Sequence, residues 1–206
     1  SYCWPYANSR KKDYRSLELC VKTIDEIKRQ AKINGFNSFH FSFSGGEPTF
    51  HPDYLQILEH LADGTPTTIH MTSNCSQNLK WFEKYAWVAS KFDNAHVTAS
   101  LHREYVNTPE KTEEFAKKLR FLIDHNINTT INMVMVPEKF EELYCLALYF
   151  HSKNINVTLK PQSDEKAQKI VDGYTDSMLE RLHNGFPQRD YRTGLWAEQS
   201  FYVTMY

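Results

Sequence analysis

Several things are scarce in this 206-residue sequence, and each scarcity excludes something. There are four cysteines, Cys3, Cys20, Cys75 and Cys145, with no CxxC pair among them. That excludes a dense disulfide framework and a zinc-finger spacing. There are seven glycines and no stretch rich in Pro, Gly or Ser, which excludes low-complexity chain and offers no linker at which to divide a domain. Charge of one sign is also missing, with 24 Lys plus Arg against 25 Asp plus Glu. Without a strong positive field, neither nucleic acid nor an anionic membrane surface is indicated as a partner. No apolar run approaches the ~18 residues that span a bilayer, and the first residues lack the basic-then-apolar order of a signal peptide. The expectation is a cytoplasmic protein. Nine histidines are present, yet no HxH or HxxxH pair falls on one element.

What the sequence does have is aromatic residues, 14% of the total, and a regular rhythm. Leu17, Val21, Ile24, Ile27 and Ala31 recur at helical spacing, and Gly35 follows them. In "FNSFHFSFS" the residues Phe39, Phe41 and Phe43 alternate with His40, Ser42 and Ser44, as a strand requires. Helix and strand then take turns: "HPDYLQILEHLA", "TTIHMTSN", "NLKWFEKYAWVASK", "NAHVTASLH", a helix from Pro109 to Asp124, "NTTINMVMV", a helix from Glu138 to Ser152, and "NVTLKP". Five strands separated by helices of about ten or more residues imply parallel pairing through right-handed crossovers, so the fold class is α/β. Past Gln162, "DEKAQKIVDGYTDSMLERLHNG" reads as helix and "QSFYVTMY" as a strand that stops while still apolar. The first helix has no strand before it, so both ends read as cuts through a longer polypeptide.

In a parallel barrel, ligands sit at the C-terminal ends of the strands, where loops and helix N-termini converge. "SGGEPT" stands at one such end. Gly45 and Gly46 allow backbone groups to approach a ligand with no Cβ between, Glu47 places a carboxylate on the rim, and Pro48 pre-sets the exit toward the next helix. A Gly-Gly turn with a solvated Glu would use the same residues.

Together with "SYC" some forty residues earlier, this loop resembles the radical S-adenosylmethionine (SAM) superfamily. In that family the first strand ends in Cys-x-x-x-Cys-x-aromatic-Cys and the second in Gly-Gly-Glu. Ser1, Tyr2 and Cys3 match the final x-aromatic-Cys. The resemblance implies a partial parallel (βα)6 barrel, with residues 1–162 as its core lacking the first strand and residues 163–206 as the start of a C-terminal extension. It implies a [4Fe-4S] cluster with Cys3 as its third ligand, the other two cysteines being absent from this sequence. Neither Cys20, Cys75 nor Cys145 falls at a spacing that substitutes for them, so the parent protein would be the enzyme and this chain an inactive fragment.

The same resemblance implies roles for individual residues. Gly45, Gly46 and Glu47 would accept hydrogen bonds from the amino group of SAM, and Tyr2 would border its adenine. Ser73 and Asn74, at the end of "TTIHMTSN", and Ser100, in "SLHREY", would offer polar groups to the ribose or carboxylate. Lys111 would meet that carboxylate. Asn132 and Lys160 fall on later strands, facing the lumen or marking strand ends, and His102 is a polar residue at the rim. Ser and Asn at these places also suit ordinary turns and helix caps. Three thiolates leave one iron open and create a low-potential electron donor; in the family, SAM is then cleaved to a 5′-deoxyadenosyl radical. A peptide or small-molecule substrate and a one-electron donor such as flavodoxin or ferredoxin follow as expected partners. The alternative is a non-catalytic α/β binding module in which the loop persists as a turn.

Overall fold

A computed structural model describes residues 14–164, 169–189 and 196–197. Its framework is a single parallel sheet of five strands in sequential order: β1 (Phe39–Phe43), β2 (Thr67–Ser73), β3 (Asn94–Ser100), β4 (Asn128–Met135) and β5 (Asn156–Pro161). The helices α1 (Leu17–Ile33), α2 (Tyr54–Leu61), α3 (Leu79–Ala89), α4 (Pro109–Asp124) and α5 (Phe140–Ser152) occupy the places between and before them. The sheet does not close, because β1 and β5 are its two edges. Among the described residues no helix is long and apolar enough to cross a membrane.

Local chemistry starts the helices where the sequence places them. Ser16, Asn78 and Thr108 each accept a backbone N–H of the first turn of α1, α3 and α4, and Pro109 stands in the first turn of α4, where its missing N–H has no intrahelical partner to lose. Alternation then sorts the two faces of the sheet. Residues such as Ile69, Met71, Val97, Ala99, Ile131, Met133 and Val157 are buried against Leu58, Phe82, Leu119 and Phe150 of the helices. Burial of each such side chain contributes about 1.5–3 kcal/mol. The other face carries His40, Ser42, Thr68, His70, Thr98, Ser100, Asn132 and Thr158, all half-buried or exposed. This polar face is the one a barrel turns toward its lumen.

The region after β5 departs from the sequence reading. Helix α6 spans only Asp176–Asn184, started by Thr175, whose hydroxyl accepts the Met178 N–H. Before it the described residues are not helical: Ser163 and Ile170 form an antiparallel bridge. Tertiary hydrogen bonds override the helical composition here. The Tyr174 hydroxyl donates to the Met135 carbonyl and accepts the Gln162 N–H at 2.7 Å, while Gly173 adopts φ +106° against Pro137. Helix α5 also begins later than expected, at Phe140, after a 3-10 turn over Pro137–Lys139. The strand expected at "QSFYVTMY" lies outside the described residues.

Candidate functional site

The glycine loop leaves the C-terminal end of β1. Phe43 is in register with Met71, so the loop that follows β1 lies beside the end of β2. Gly45 has φ +112°, a region that L side chains rarely adopt. A Cβ built on either Gly45 or Gly46 meets nothing within 4 Å among the described residues beyond its chain neighbours. Among the described residues no donor reaches the carbonyl of Gly45 or Gly46. Among the described residues, then, nothing fills the space beside these two glycines, and both carbonyls lack a partner.

The Glu47 carboxylate accepts four hydrogen bonds from within the chain. Its Oε1 accepts the Thr49 hydroxyl at 2.7 Å, the Thr49 N–H at 3.2 Å and the Ser73 hydroxyl at 2.7 Å. Its Oε2 accepts the Asn74 N–H at 2.6 Å. One side chain thus brackets the loop to the end of β2, with bonds of the charge-assisted kind. Gln77 adds a second tie, donating to the Thr49 carbonyl at 2.9 Å. Nearby, His51 accepts the Asp53 N–H through Nδ1, so its Nε2 carries the proton and donates to the Arg15 carbonyl at 2.9 Å. The Tyr14 ring stands edge-on to His51, 5.3 Å away. The first described residues therefore run beside this loop.

Behind the bracket lies a dry layer. Burial pushes the Cys75 thiol up to about 12, and the negative charge of Glu47 adds to the effect against the opposing influence of Ser73 and Lys118. The buried Lys118 ammonium reaches from α4 to the Cys75 carbonyl at 3.4 Å and pairs with Glu114 at 2.9 Å. Burial likewise raises the Tyr54 hydroxyl well above its ordinary value, with Tyr85 and Glu47 contributing after it. A thiol so placed is inert because the thiolate is the reactive form. We expect iodoacetamide at pH 8 to label exposed Cys145 and leave Cys75 unmodified in the folded chain; rapid alkylation of Cys75 would show that this layer is open to water.

The structure brings several sequence-predicted residues together and separates others. Ser100 and Asn132 are register partners, half-buried on the polar face at the rim. Thr158, paired with Asn132, extends that row across a third strand, and sequence reasoning missed it. Ser73 sits close to the loop, yet its hydroxyl is buried and donates to Glu47 while accepting the Cys75 N–H. Asn74 uses its backbone N–H on Glu47 and its side-chain oxygen on the Ser76 N–H. Lys111 is exposed in the first turn of α4, with its ammonium 3.1 Å from the Asn107 side-chain oxygen. Lys160 is exposed near the end of β5, and His102 is half-buried just past β3. Tyr2 and Cys3 lie outside the described residues. Thr49 was also missed, although a hydroxyl two residues after a rim carboxylate is a local capping pattern. Two grooves flank Trp87 on the outer helix layer, and neither is lined by a residue of the strand ends.

A family model for the radical SAM superfamily matches residues 1–147. The chain belongs to the radical SAM superfamily. Its open five-stranded parallel sheet is the partial barrel of that fold. Native anSMEcpe with bound AdoMet and Kp18Cys peptide is a solved structure similar to this chain, with a TM-score of 0.59 and 14% identity. The match covers 89% of this chain and 54% of that one, so the chain spans about half its length. At that identity the likeness is one of fold. No curated protein matches the chain. Membership in the radical SAM superfamily implies two groups, AdoMet and a [4Fe-4S] cluster. The carbonyls of Gly45 and Gly46, unpartnered among the described residues, fit AdoMet. The described residues do not fit a cluster: no three or more of their His, Cys, Asp and Glu side chains come together as a metal site, and Cys20 lies in α1, Cys75 just after β2 and Cys145 in α5.

Proposed function

We propose that the parent of this chain is a radical SAM enzyme that binds AdoMet on the glycine loop and modifies a peptide or small metabolite. The observation that carries this reading is the pair of glycines at 45 and 46, whose backbone carbonyls have no partner among the described residues, in a loop held in place by the Glu47 bracket. Carbonyls accept hydrogen bonds, so they suit the protonated amino group of AdoMet. Ser100, Asn132 and Thr158 line the adjoining rim, where hydroxyl and amide groups suit its ribose and carboxylate. Ser73 and Asn74 act through Glu47, as supports of the loop. Tyr2 would border the adenine, and Lys111 would meet the carboxylate from the start of α4. Residues 1–162 form the core in this reading.

In this reading Cys3, with two further cysteines of the parent, would hold a [4Fe-4S] cluster, which would supply one-electron reduction chemistry, with flavodoxin or ferredoxin as the donor. The protein's share is to orient AdoMet and to exclude water. The test is 5′-deoxyadenosine formation by the anaerobically reconstituted parent under dithionite. Product that disappears with Cys3→Ala is the expected result. A folded, cluster-loaded parent that forms none would favour a non-catalytic binding module. The 206-residue chain alone is expected not to reach near-stoichiometric [4Fe-4S] absorbance; full loading would mean that the ligands have been misassigned.

A further inference from the structure

Below the rim, the polar face of the sheet carries a hydrogen-bonded file that the AdoMet reading does not use. Ser42 Oγ lies 3.0 Å from His70 Nδ1, and Thr98 Oγ1 lies 2.9 Å from His70 Nε2. The file therefore crosses three strands through one imidazole. Its hydrogens can be counted. Two hydroxyls and a neutral imidazole hold three, and the two internal bonds consume two, so one hydroxyl hydrogen is always free to donate outward. If the imidazole is protonated there are four, and both hydroxyls donate outward.

Among the described residues, the ionisable side chains on the strands around the file are all basic. His40 on β1 faces it, bonded to Thr68 at 2.7 Å, and His96 on β3 is the register partner of His70. Within β4 and β5, the positions of that face add Asn, Thr and Val, with Lys160 as the one charged residue. No strand contributes an Asp or Glu to the face. Burial, and then the neighbouring His40, hold the His70 imidazole below its ordinary value. At neutral pH it is uncharged and ready to take up a proton when a negative charge arrives.

We infer that this face seats a carboxylate of the substrate on the Ser42–His70–Thr98 file, an inference that rests on the reading of the adjoining loop as the AdoMet site. A cationic group would find no counter-charge among the described residues of this face, and an apolar group would cover the free hydroxyl donor without pairing it. A carboxylate satisfies the donor and draws a proton onto His70, which frees the second hydroxyl.

The test is an NMR titration of the histidine side chains in the ¹⁵N-labelled chain, with sodium acetate as the probe and sodium chloride at equal ionic strength as the control. Acetate should raise the His70 midpoint by about half a unit, a favourable interaction of about 0.7 kcal/mol. His125, exposed at the end of α4, should not respond selectively. Thr98→Ser should keep the effect, and Ser42→Ala with Thr98→Val should abolish it. An unmoved His70, or equal movement of His70 and His125, would overturn the inference. AdoMet added to the same sample reads out separately, on the Gly45 and Gly46 amides, so failure of the cofactor reading and failure of the carboxylate seat are distinguishable.

Discussion

Glu47→Gln in the parent enzyme is expected to lower both its stability and its affinity for AdoMet. Each carboxylate oxygen of Glu47 accepts a backbone N–H, that of Thr49 on one side and that of Asn74 on the other. A Gln side chain has one oxygen and one NH2, so in either orientation it aims an NH2 at a backbone N–H. The loss is that of one hydrogen bond to a charged group, about 1.5–3 kcal/mol, measured by denaturant unfolding. AdoMet affinity should fall by about tenfold or more, since about 1.4 kcal/mol of distortion in the loop suffices. Were the carboxylate a direct ligand of the AdoMet amino group, the substitution would weaken binding and leave stability unchanged. Wild-type affinity in the variant would remove the bracket from the account altogether.

The two glycines are expected to separate strain from space. Gly46 does not have a positive φ in the left-handed range, and a Cβ there meets nothing within 4 Å among the described residues beyond its chain neighbours. Gly46→Ala should therefore leave folding stability within about 0.5 kcal/mol of wild type, as surface substitutions free of such features do. The added methyl group stands where AdoMet is proposed to lie, and affinity should fall by about tenfold or more. Gly45→Ala carries the same intrusion together with the cost of φ +112°, about 1–3 kcal/mol. Equilibrium dialysis beside denaturant unfolding distinguishes the two. Unchanged AdoMet affinity in Gly46→Ala would place the cofactor elsewhere.

Much of the frame was legible because alternation and helical spacing are local. The run "NVTLKP" coincides with β5, and the helix expected from Pro109 to Asp124 coincides with α4. Thr108 and Pro109 mark that helix start without any tertiary information. The described residues just before α6 were not legible, because their helical composition loses to Tyr174 reaching back to Met135 and to Gly173 packed on Pro137. The sequence pointed to Glu47 but not to its partners. That Ser73 and Asn74 bind its carboxylate depends on the parallel register between β1 and β2, residues 26 and 27 positions away. Thr158 was missed for the same reason, since its place beside Asn132 follows from the pairing of β4 with β5. The histidines looked scattered because their spacing along the chain is wide, yet His70 and His96 are neighbours across two strands.

The most direct test of the site is a structure of the parent with AdoMet bound. The account predicts the AdoMet amino nitrogen about 2.7–3.2 Å from a carbonyl of Gly45 or Gly46, with the Glu47 carboxylate still bonded to Thr49, Ser73 and Asn74. An amino group held by a Glu47 side chain swung away from those partners, or AdoMet bound away from this rim, would contradict it.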